Sequence, residues 1–410
     1  MLVESLELRD FRSYESASLE LGEGLTVLHG PNGAGKTNLL EALYCGCTGS
    51  GARTRRDRDL VRFGAKVARV EVRTRSAGCA HLLRVVVNPG EGKALRLDGR
   101  RVEHLQGGEA RPLVSVFLAD RLALVKGPPG GRRGHIDELA SALWPSRRGD
   151  RKAYSQALAQ RNALLAGIRS GRARRENLPA WDMELAQRGT RLIEGRRMAC
   201  ELLGGPLAAR GEQLGFGGPL SLAYRPRVEA SDAEGFTAEL QDRVERDIES
   251  GFCTHGPHRD ELVLRHGGRE LRLFGSQGEQ RLALLALLLA ERDALAEQRG
   301  TMPLMLLDDV MSELDARRRM LLVEELLRDG QSVVTTTDAD HVPASRSAEV
   351  RCVAVPDDVT ARAGFALPEE LDEVDDETDR DAGGGDTVLE PAHGGDGIAA
   401  VPLTGANRAA

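Results

Sequence analysis

A glycine-rich stretch near the N-terminus organises the chain: Gly30-Pro31-Asn32-Gly33-Ala34-Gly35-Lys36-Thr37. It has the form G-x-x-x-x-G-K-T, the phosphate-binding loop or P-loop. An apolar run at 25–28 precedes it and predicts a buried strand, and residues 38–44 predict a helix. Glycines let the backbone turn its N–H groups onto phosphate oxygens, and the helix N-terminus adds partial positive charge. We therefore predict an α/β fold with a nucleotide site formed by all eight residues.

Two P-loop side chains are predicted to have specific roles. Lys36 is expected to reach the β- and γ-phosphates, and the Thr37 hydroxyl is expected to ligate Mg²⁺. The alternative is a glycine-rich turn that contains a lysine by chance. The chain has only five lysines among 410 residues, which makes a chance match rare.

The composition is that of a globular protein of two or three domains, with 41% hydrophobic residues in 410. No run of eighteen apolar residues occurs, so no membrane partner is expected. Residues 1–7 are acidic and alternating, unlike a signal peptide. The six cysteines form neither a CxxC pair nor a zinc spacing, so we expect a reducing, cytoplasmic location.

Charge is distributed unevenly. The net charge is −7, but residues 368–410 hold twelve acids and two arginines, so the remaining body is slightly basic at +3. Basic residues concentrate in four stretches: 53–58, 132–133, 147–152 and 169–175. They predict either a DNA-facing surface or ordinary solvated loops and helix ends.

Four regions are predicted from the periodicity. Residues 1–136 form an N-terminal α/β part that contains the P-loop, with strands at 2–8, 17–21, 66–74, 82–87 and 114–118. Residues 137–252 form a mainly helical insertion, with long helices at 153–168 and 181–203. Residues 253–366 return to α/β character, with strands at 262–264, 271–273, 304–307 and 332–336 and helices at 279–297 and 315–327. Residues 367–410 have the acidic, glycine-rich composition of a disordered tail that is dispensable for nucleotide binding.

The second half of the site is predicted where the apolar run 304–307 ends in two acids, Asp308 and Asp309. A buried strand that ends in a carboxylate is how P-loop enzymes hold Mg²⁺, and we assign that role to Asp308. Asp309 is placed to orient or deprotonate the attacking water. Because strands often end in acids, the interpretation depends on the preceding P-loop and on Ser312-Glu313-Leu314-Asp315 that follows.

A second anion site is predicted at Phe274-Gly275-Ser276-Gln277-Gly278-Glu279-Gln280-Arg281. Ser276 and Gly278 stand at the start of a long helix, whose free N–H groups suit a phosphate. The alternative is an ordinary capping box formed by Ser276 and Glu279, and both readings can hold together. The order of these segments resembles the ABC-type ATPases, in which the Ser-x-Gly segment of one subunit closes over ATP held by another.

Five segments narrow the match within that class. They are Asp10-Phe11-Arg12-Ser13-Tyr14, Gly35-Lys36-Thr37-Asn38-Leu39-Leu40-Glu41-Ala42, Leu124-Val125-Lys126-Gly127-Pro128, Thr254-His255-Gly256-Pro257-His258-Arg259-Asp260 and Asp308-Asp309-Val310-Met311-Ser312-Glu313-Leu314-Asp315. In these segments the chain resembles the RecF family of bacterial DNA replication and repair proteins, and the resemblance covers residues 1 to about 355.

The resemblance implies an SMC-like ATPase head without a long coiled coil, and ATP and Mg²⁺ as cofactors. It implies a weak, DNA-stimulated ATPase that forms an ATP-dependent homodimer on single-stranded, double-stranded and gapped DNA. It further implies loading of RecA at gaps with RecO and RecR, in recombination, DNA damage repair and the SOS response. Arg12 matches an arginine that contacts nucleotide phosphate in SMC-type relatives.

Some features of the class are not recognisable. The glutamine of the ABC Q-loop is not evident near 114–120, and Thr335-Thr336-Thr337-Asp338 replaces the switch histidine of transporters. His135 is interpreted as structural, and His258 and Arg259 have no assigned role. Three alternatives stay open: a generic SMC-like repair ATPase, a transporter nucleotide-binding subunit, and a structural DNA clamp whose hydrolysis is irrelevant.

Overall fold

Strands form three sheets in the computed structural model, which describes residues 1–54, 56–103, 105, 111–118 and 122–355. The strands are β1 Leu2–Phe11, β2 Tyr14–Glu20, β3 Leu25–His29, β4 Ala68–Ser76, β5 Cys79–Asn88, β6 Gly92–Leu97, β7 Arg100–Arg101, β8 Val114–Phe117, β9 Leu220–Arg225, β10 Glu261–His266, β11 Arg269–Glu270, β12 Leu304–Leu307, β13 Ser332–Thr336 and β14 Val350–Ala354. The helices are α1 Lys36–Thr48, α2 Ala123–Lys126, α3 Pro129–Leu143, α4 Asp150–Arg169, α5 Leu178–Gln213, α6 Ala233–Asp242, α7 Val244–Ser250, α8 Leu271–Phe274, α9 Gln277–Arg299 and α10 Ala316–Arg328.

The central sheet is parallel and has the order β14-β3-β13-β12-β8. Its strands read as continuous apolar runs, as in Leu304–Leu307, because both faces are covered. The carboxyl ends of parallel strands meet at one edge of a sheet. This edge therefore brings together the P-loop after β3, Asp308 after β12 and Thr335 near the end of β13.

A six-stranded antiparallel sheet has the order β2-β1-β4-β5-β6-β7. Helix α1 packs so closely against this sheet that a Cβ atom at Gly46 would lie 2.3 Å from the Val72 side chain. The other face of α1 joins the same hydrophobic core as β12 and β13 of the parallel sheet. Gln331 fastens the two sheets, since its side-chain amide exchanges hydrogen bonds of 2.8 and 2.7 Å with the backbone of Val3. The P-loop helix is thereby fixed between them.

Helices α4 to α7 share a hydrophobic cluster of their own. At its centre the buried Arg161 donates to Asp182 at 2.7 Å and to Asp247 at 2.6 Å. The predicted helices at 153–168 and 181–203 are confirmed as parts of α4 and α5, and both extend beyond the predicted bounds.

One predicted strand is wrong. Residues 271–273 belong to the short helix α8, because the Gln280 side chain donates to the carbonyls of Leu271 and Gly275 and curls this segment against α9. Helix α3 runs across the proposed 136/137 boundary, and the domain division stays a prediction. The tail prediction for 367–410 lies outside the described residues.

All six cysteines are free thiols. Within the described ranges, every helix is too short or too polar to cross a membrane.

Candidate functional site

The P-loop has the strand–loop–helix context that the sequence predicts. It runs from the end of β3 into α1, and Gly35 adopts a left-handed φ of 101°. A Cβ atom at Gly35 would lie 2.4 Å from the Tyr14 hydroxyl, so only glycine fits both the backbone conformation and the space. Tyr14 donates to the carbonyl of Ala34 at 3.3 Å and so braces the loop.

The Lys36 ammonium lies over this loop. Its Nζ donates to the carbonyl oxygens of Gly30 at 2.7 Å and Pro31 at 2.9 Å. Burial lowers the pKa of Lys36 from its ordinary value, and the negative charges of Asp309 and Asp308 oppose that shift. The P-loop lysine and both acids after β12 are therefore close enough to interact.

Thr37 and Asp308 meet although 271 residues separate them. The Thr37 hydroxyl lies 2.9 Å from Oδ1 and 3.0 Å from Oδ2 of Asp308. Burial raises the pKa of Asp308, against hydrogen bonds from Thr335 and Thr37. A half-buried carboxylate beside a hydroxyl is a set of oxygen donors that suits a hard divalent cation. The residues present thus fit Mg²⁺, with Thr37 and Asp308 as the side chains that would hold it.

Asp309 differs from its neighbour in that it is exposed. Its backbone is left-handed, with φ 49°, and its N–H donates to the Thr335 hydroxyl at 2.9 Å. The turn therefore directs the two acids into different surroundings, one beside the P-loop helix and one toward solvent.

Arg12 binds a protein carboxylate. Its guanidinium donates twice to Glu41, at 2.9 Å each, and Arg53 binds the same carboxylate at 2.7 Å. Burial acts to raise the pKa of Glu41, but the two arginines outweigh it and hold that pKa below its ordinary value. Two cations on one anion leave a net positive charge beside α1. Contact of Arg12 with nucleotide stays a prediction. The sequence analysis did not assign Glu41 as the partner of these arginines, although Glu41 lies one helical turn after Thr37.

The predicted capping box at α9 is confirmed. The Ser276 hydroxyl accepts from the Glu279 N–H at 3.2 Å, and the Glu279 carboxylate accepts from the Ser276 N–H at 2.8 Å. Ser276 and Gly278 are exposed, and the first N–H groups of a helix have no partner within it. The helix start thus presents donors to the surface, while contact of Ser276 and Gly278 with a nucleotide held by a second copy stays a prediction.

Comparison with known proteins agrees with the resemblance seen in the sequence. The family model described as RecF/RecN/SMC N terminal domain matches residues 2–359. The DNA replication and repair protein RecF of Anaeromyxobacter dehalogenans (strain 2CP-C) is 41% identical over 351 residues, which cover 82% of this chain and 92% of that protein. The RecF of Synechococcus sp. (strain JA-3-3Ab) is 37% identical over 350 residues, 82% of this chain and 91% of that protein. This chain belongs to the RecF family.

Solved RecF structures share the fold. The chain superimposes with a TM-score of 0.77 on the recombination mediator protein RecF solved with ATP in the RecFOR pathway, at 26% identity over 87% of this chain and 96% of that one. An Smc head bound to the C-winged helix domain of ScpA gives a TM-score of 0.50 at 18% identity, over 88% of this chain and 96% of that one, and supports the fold alone. The SMC-like ATPase fold expected from the sequence is therefore confirmed.

The structure gives the Gly256–Asp260 segment, part of the RecF resemblance, a structural role. His258 Nε2 lies 3.1 Å from the Cys253 carbonyl, and its Nδ1 lies 2.7 Å from the Tyr154 hydroxyl. A carbonyl can only accept, so Nε2 carries the proton and Nδ1 accepts from Tyr154. Burial lowers the pKa of His258 to about 4, which keeps the ring neutral at physiological pH. Arg259 lies over the Phe252 ring, 5.9 Å from its centroid.

The Asp260 carboxylate links helix α5 to strand β9 and to the segment that follows β9. It accepts from Arg196 of α5 at 2.9 Å, from the Tyr224 hydroxyl of β9 and from the Arg227 N–H at 2.8 Å. His135, interpreted as structural, is half-buried and pairs with Glu291 of α9 at 2.5 Å. These contacts hold α5 and β9 to the Asp260 segment, and α3 to α9.

Removing the Tyr224 hydroxyl tests this role of Asp260. Tyr224→Phe is expected to lower the free energy of unfolding by about 1.5–3 kcal/mol, because a buried carboxylate loses one of its donors. Denaturant titration followed by circular dichroism measures the change. Tyr14→Phe is the matched control, since its hydroxyl bonds a neutral carbonyl and should contribute about 1 kcal/mol or less. Equal stability of the parent and Tyr224→Phe would contradict the assignment.

The basic stretches differ in their surroundings. Arg132 is buried and binds Glu261 at 2.8 Å, so it belongs neither to an exposed DNA-facing surface nor to a solvated loop. Arg147 binds Glu194 at 2.9 Å, and Arg53 binds Glu41 as described above. The exposed members of the basic stretches are Arg53, Arg56, Arg58, Arg148, Arg151, Lys152, Arg169, Arg172, Arg174 and Arg175. These arginines and Lys152 form the accessible cationic surface among the described residues of those stretches.

Proposed function

We propose that this chain is an ATP-dependent DNA-binding protein of recombinational repair and replication. It dimerises with ATP on single-stranded, double-stranded and gapped DNA, and with RecO and RecR it promotes RecA loading at gaps. The observation that carries the proposal is the contact between Thr37 of the P-loop and Asp308 in a chain of the RecF family. The relative solved with ATP supports the choice of nucleotide.

The residues of the site have distinct tasks in this proposal. The amides of 30–37 and the Lys36 ammonium bind the phosphates, and Thr37 and Asp308 hold Mg²⁺. The cation supplies charge neutralisation at the phosphates when bound. Asp309 orients or deprotonates the attacking water. Arg12 contributes positive charge beside the nucleotide.

The proposed dimer completes each site with Ser276 and Gly278 of the second copy. One chain carries one P-loop and one Ser276 segment, so a twofold pairing yields two complete sites from one interface. Leu273 and Phe274, directly before Ser276, are 63% and 70% exposed. Large exposed apolar side chains next to a polar contact residue are typical of an interaction surface. They support closure against a second copy at this point.

ATP turnover with and without gapped DNA tests the activity. We expect slow hydrolysis that DNA stimulates. Turnover that does not respond to DNA would instead favour a structural clamp or a transporter subunit, and absence of nucleotide binding would contradict the proposal altogether.

DNA binding is expected to be electrostatic and tolerant of sequence. Released counterions make such affinity fall steeply with salt, and each phosphate contact adds about 1 to the slope of log affinity against log salt. Arg174→Ala should therefore weaken binding to all sequences alike and reduce that slope by about 1. Fluorescence anisotropy with labelled oligonucleotides over a salt series measures both.

Arg346→Ala is the matched control, because Arg346 is 89% exposed but lies outside the basic stretches. It should leave the slope unchanged. A flat salt dependence of the parent, or strong preference for one sequence, would rule out the electrostatic mode.

A further inference from the structure

We propose that Thr335 is a positioning residue for both acids of the site: it fixes the Asp308 carboxylate for a divalent cation and fixes the turn that presents Asp309. The inference rests on the proposed ATPase function and extends it. It assigns a role to the stretch that stands where transporters have their switch histidine.

The geometry follows from the sheet. Strand β13 lies between β3 and β12, and Val334 pairs with Leu307, so Thr335 stands beside Asp308. Its side chain is fully buried. The Thr335 hydroxyl donates to Asp308 Oδ1 at 2.7 Å and accepts from the Asp309 N–H at 2.9 Å. One hydroxyl thus uses its single donor on one acid and a lone pair on the backbone of the other.

The bond to Asp309 matters because that residue is in the left-handed region, at φ 49°. Left-handed backbone is unfavourable for a residue other than glycine, so it persists only where neighbouring contacts hold it. Thr335 holds the N–H side of the turn, and Ser312 donates to the Asp309 carbonyl at 2.9 Å on the other side. The direction of the Asp309 side chain therefore depends on Thr335.

Thr335 and Thr37 both form hydrogen bonds with Asp308, but the two bonds have different roles. Thr37 belongs with Asp308 to the oxygen donors proposed for the cation. Thr335 acts through Asp308, as hydrogen bonds to metal-ligating carboxylates do when they fix the orientation of the ligand. Loss of such a partner typically weakens metal affinity about 10–100-fold.

Neighbouring Thr336 provides an internal comparison. Successive residues of a strand face opposite sides, and the Thr336 hydroxyl donates to the Asp338 carbonyl at 3.0 Å. It is buried like Thr335 but bonds neither acid in the structure. A Thr336→Val substitution therefore removes a buried strand hydroxyl but keeps the hydrogen bonds of Asp308 and Asp309 to Thr335.

The experiment compares Thr335→Val, Thr335→Ser and Thr336→Val in the full chain. Nucleotide affinity is measured by titration of a fluorescent ATP analogue over a series of Mg²⁺ concentrations, and kcat and KM are measured separately. Thr335→Val should raise, at least about tenfold, the Mg²⁺ concentration that produces half of the Mg²⁺-dependent increase in affinity for the ATP analogue. The affinity for the analogue without Mg²⁺ should stay at the parental value. The kcat of Thr335→Val should fall more than its KM rises, because Asp309 is displaced. Thr335→Ser, which keeps the hydroxyl, and Thr336→Val should both behave as the parent.

Thr335→Cys is a second variant in case Thr335→Val does not fold, since a thiol is a much weaker donor, and it should shift the Mg²⁺ dependence in the same direction. Parental Mg²⁺ dependence in Thr335→Val or Thr335→Cys would overturn the inference about Thr335 and leave the proposed function standing. An equal effect of Thr336→Val, or no rescue by serine, would also overturn it by showing a generic packing defect. Absence of Mg²⁺-dependent ATP binding in the parent would overturn the proposed function and the inference with it.

Discussion

Lys36→Met is expected to bind ATP roughly 100-fold more weakly than the parent, or not measurably, while keeping its fold. The Lys36 ammonium is held over the P-loop by the carbonyls of Gly30 and Pro31, where phosphate oxygens would meet it. Charge-assisted hydrogen bonds contribute about 1.5–3 kcal/mol each, so losing two of them at the lower end of that range, about 3 kcal/mol, corresponds to roughly 100-fold. Methionine has a similar reach but no charge. Isothermal titration with ATP and Mg²⁺ measures the affinity.

Lys66→Met is the matched control, because Lys66 is exposed and outside the P-loop. It should bind ATP as the parent does, and thermal melts should show all three proteins folded. Unchanged ATP affinity in folded Lys36→Met would remove the basis of the nucleotide-site assignment.

Much of the head could be predicted from the sequence because its signals are local. The P-loop identifies itself by the glycine spacing, and the continuous apolar run at 304–307 matches a strand buried on both faces. The capping box at Ser276 was equally visible, since a serine and a glutamate three residues apart at the start of an apolar helix have few other roles.

The failures have non-local causes. Residues 271–273 alternate like a strand, but contacts from Gln280 in the next helix turn them into α8. Arg132 belongs to a basic stretch of sequence, but its partner Glu261 comes from a strand 129 residues further on. Periodicity and charge runs describe the chain locally, so a partner that arrives only with the tertiary fold is invisible to them.

The same distinction applies within the site. Asp308 and Thr37 could be assigned because their motifs specify their roles, and the structure brings them together. Thr335 could not be assigned, because a threonine at the end of a buried strand is ordinary. Its significance comes from the sheet order, which places β13 between the P-loop strand and the strand of the two acids.

ATP, and not ADP, is expected to drive dimerisation, and Ser276→Arg is expected to abolish it. The γ-phosphate distinguishes the two nucleotides, so it must make the contacts between subunits, and the exposed start of α9 offers donors suited to it. An arginine at Ser276 adds bulk and charge at the surface that would close, but leaves Lys36 and the P-loop intact. Sedimentation velocity with ATP, with ADP and without nucleotide should show a dimer of the parent with ATP only, and a monomer of Ser276→Arg throughout. The Ser276→Arg variant should bind ATP with nearly the affinity of the parental monomer.

Two further variants make this result specific. Asp232→Arg is the control for loss of a helix cap, because the Asp232 side chain accepts a hydrogen bond from the Gly235 N–H at the start of α6. This variant should dimerise as the parent does. A monomeric Asp232→Arg would show that loss of any helix cap disturbs the assembly. Asp309→Asn should slow hydrolysis and prolong the dimer, because asparagine tolerates the left-handed turn and leaves Asp308 in place. A ligand can bias an equilibrium only by its differential affinity for the two states, so loss of the γ-phosphate should open the dimer, and blocking that loss should keep it closed. Dimerisation of Ser276→Arg to the parental extent, or equal dimerisation with ADP, would show that the subunits do not close over ATP.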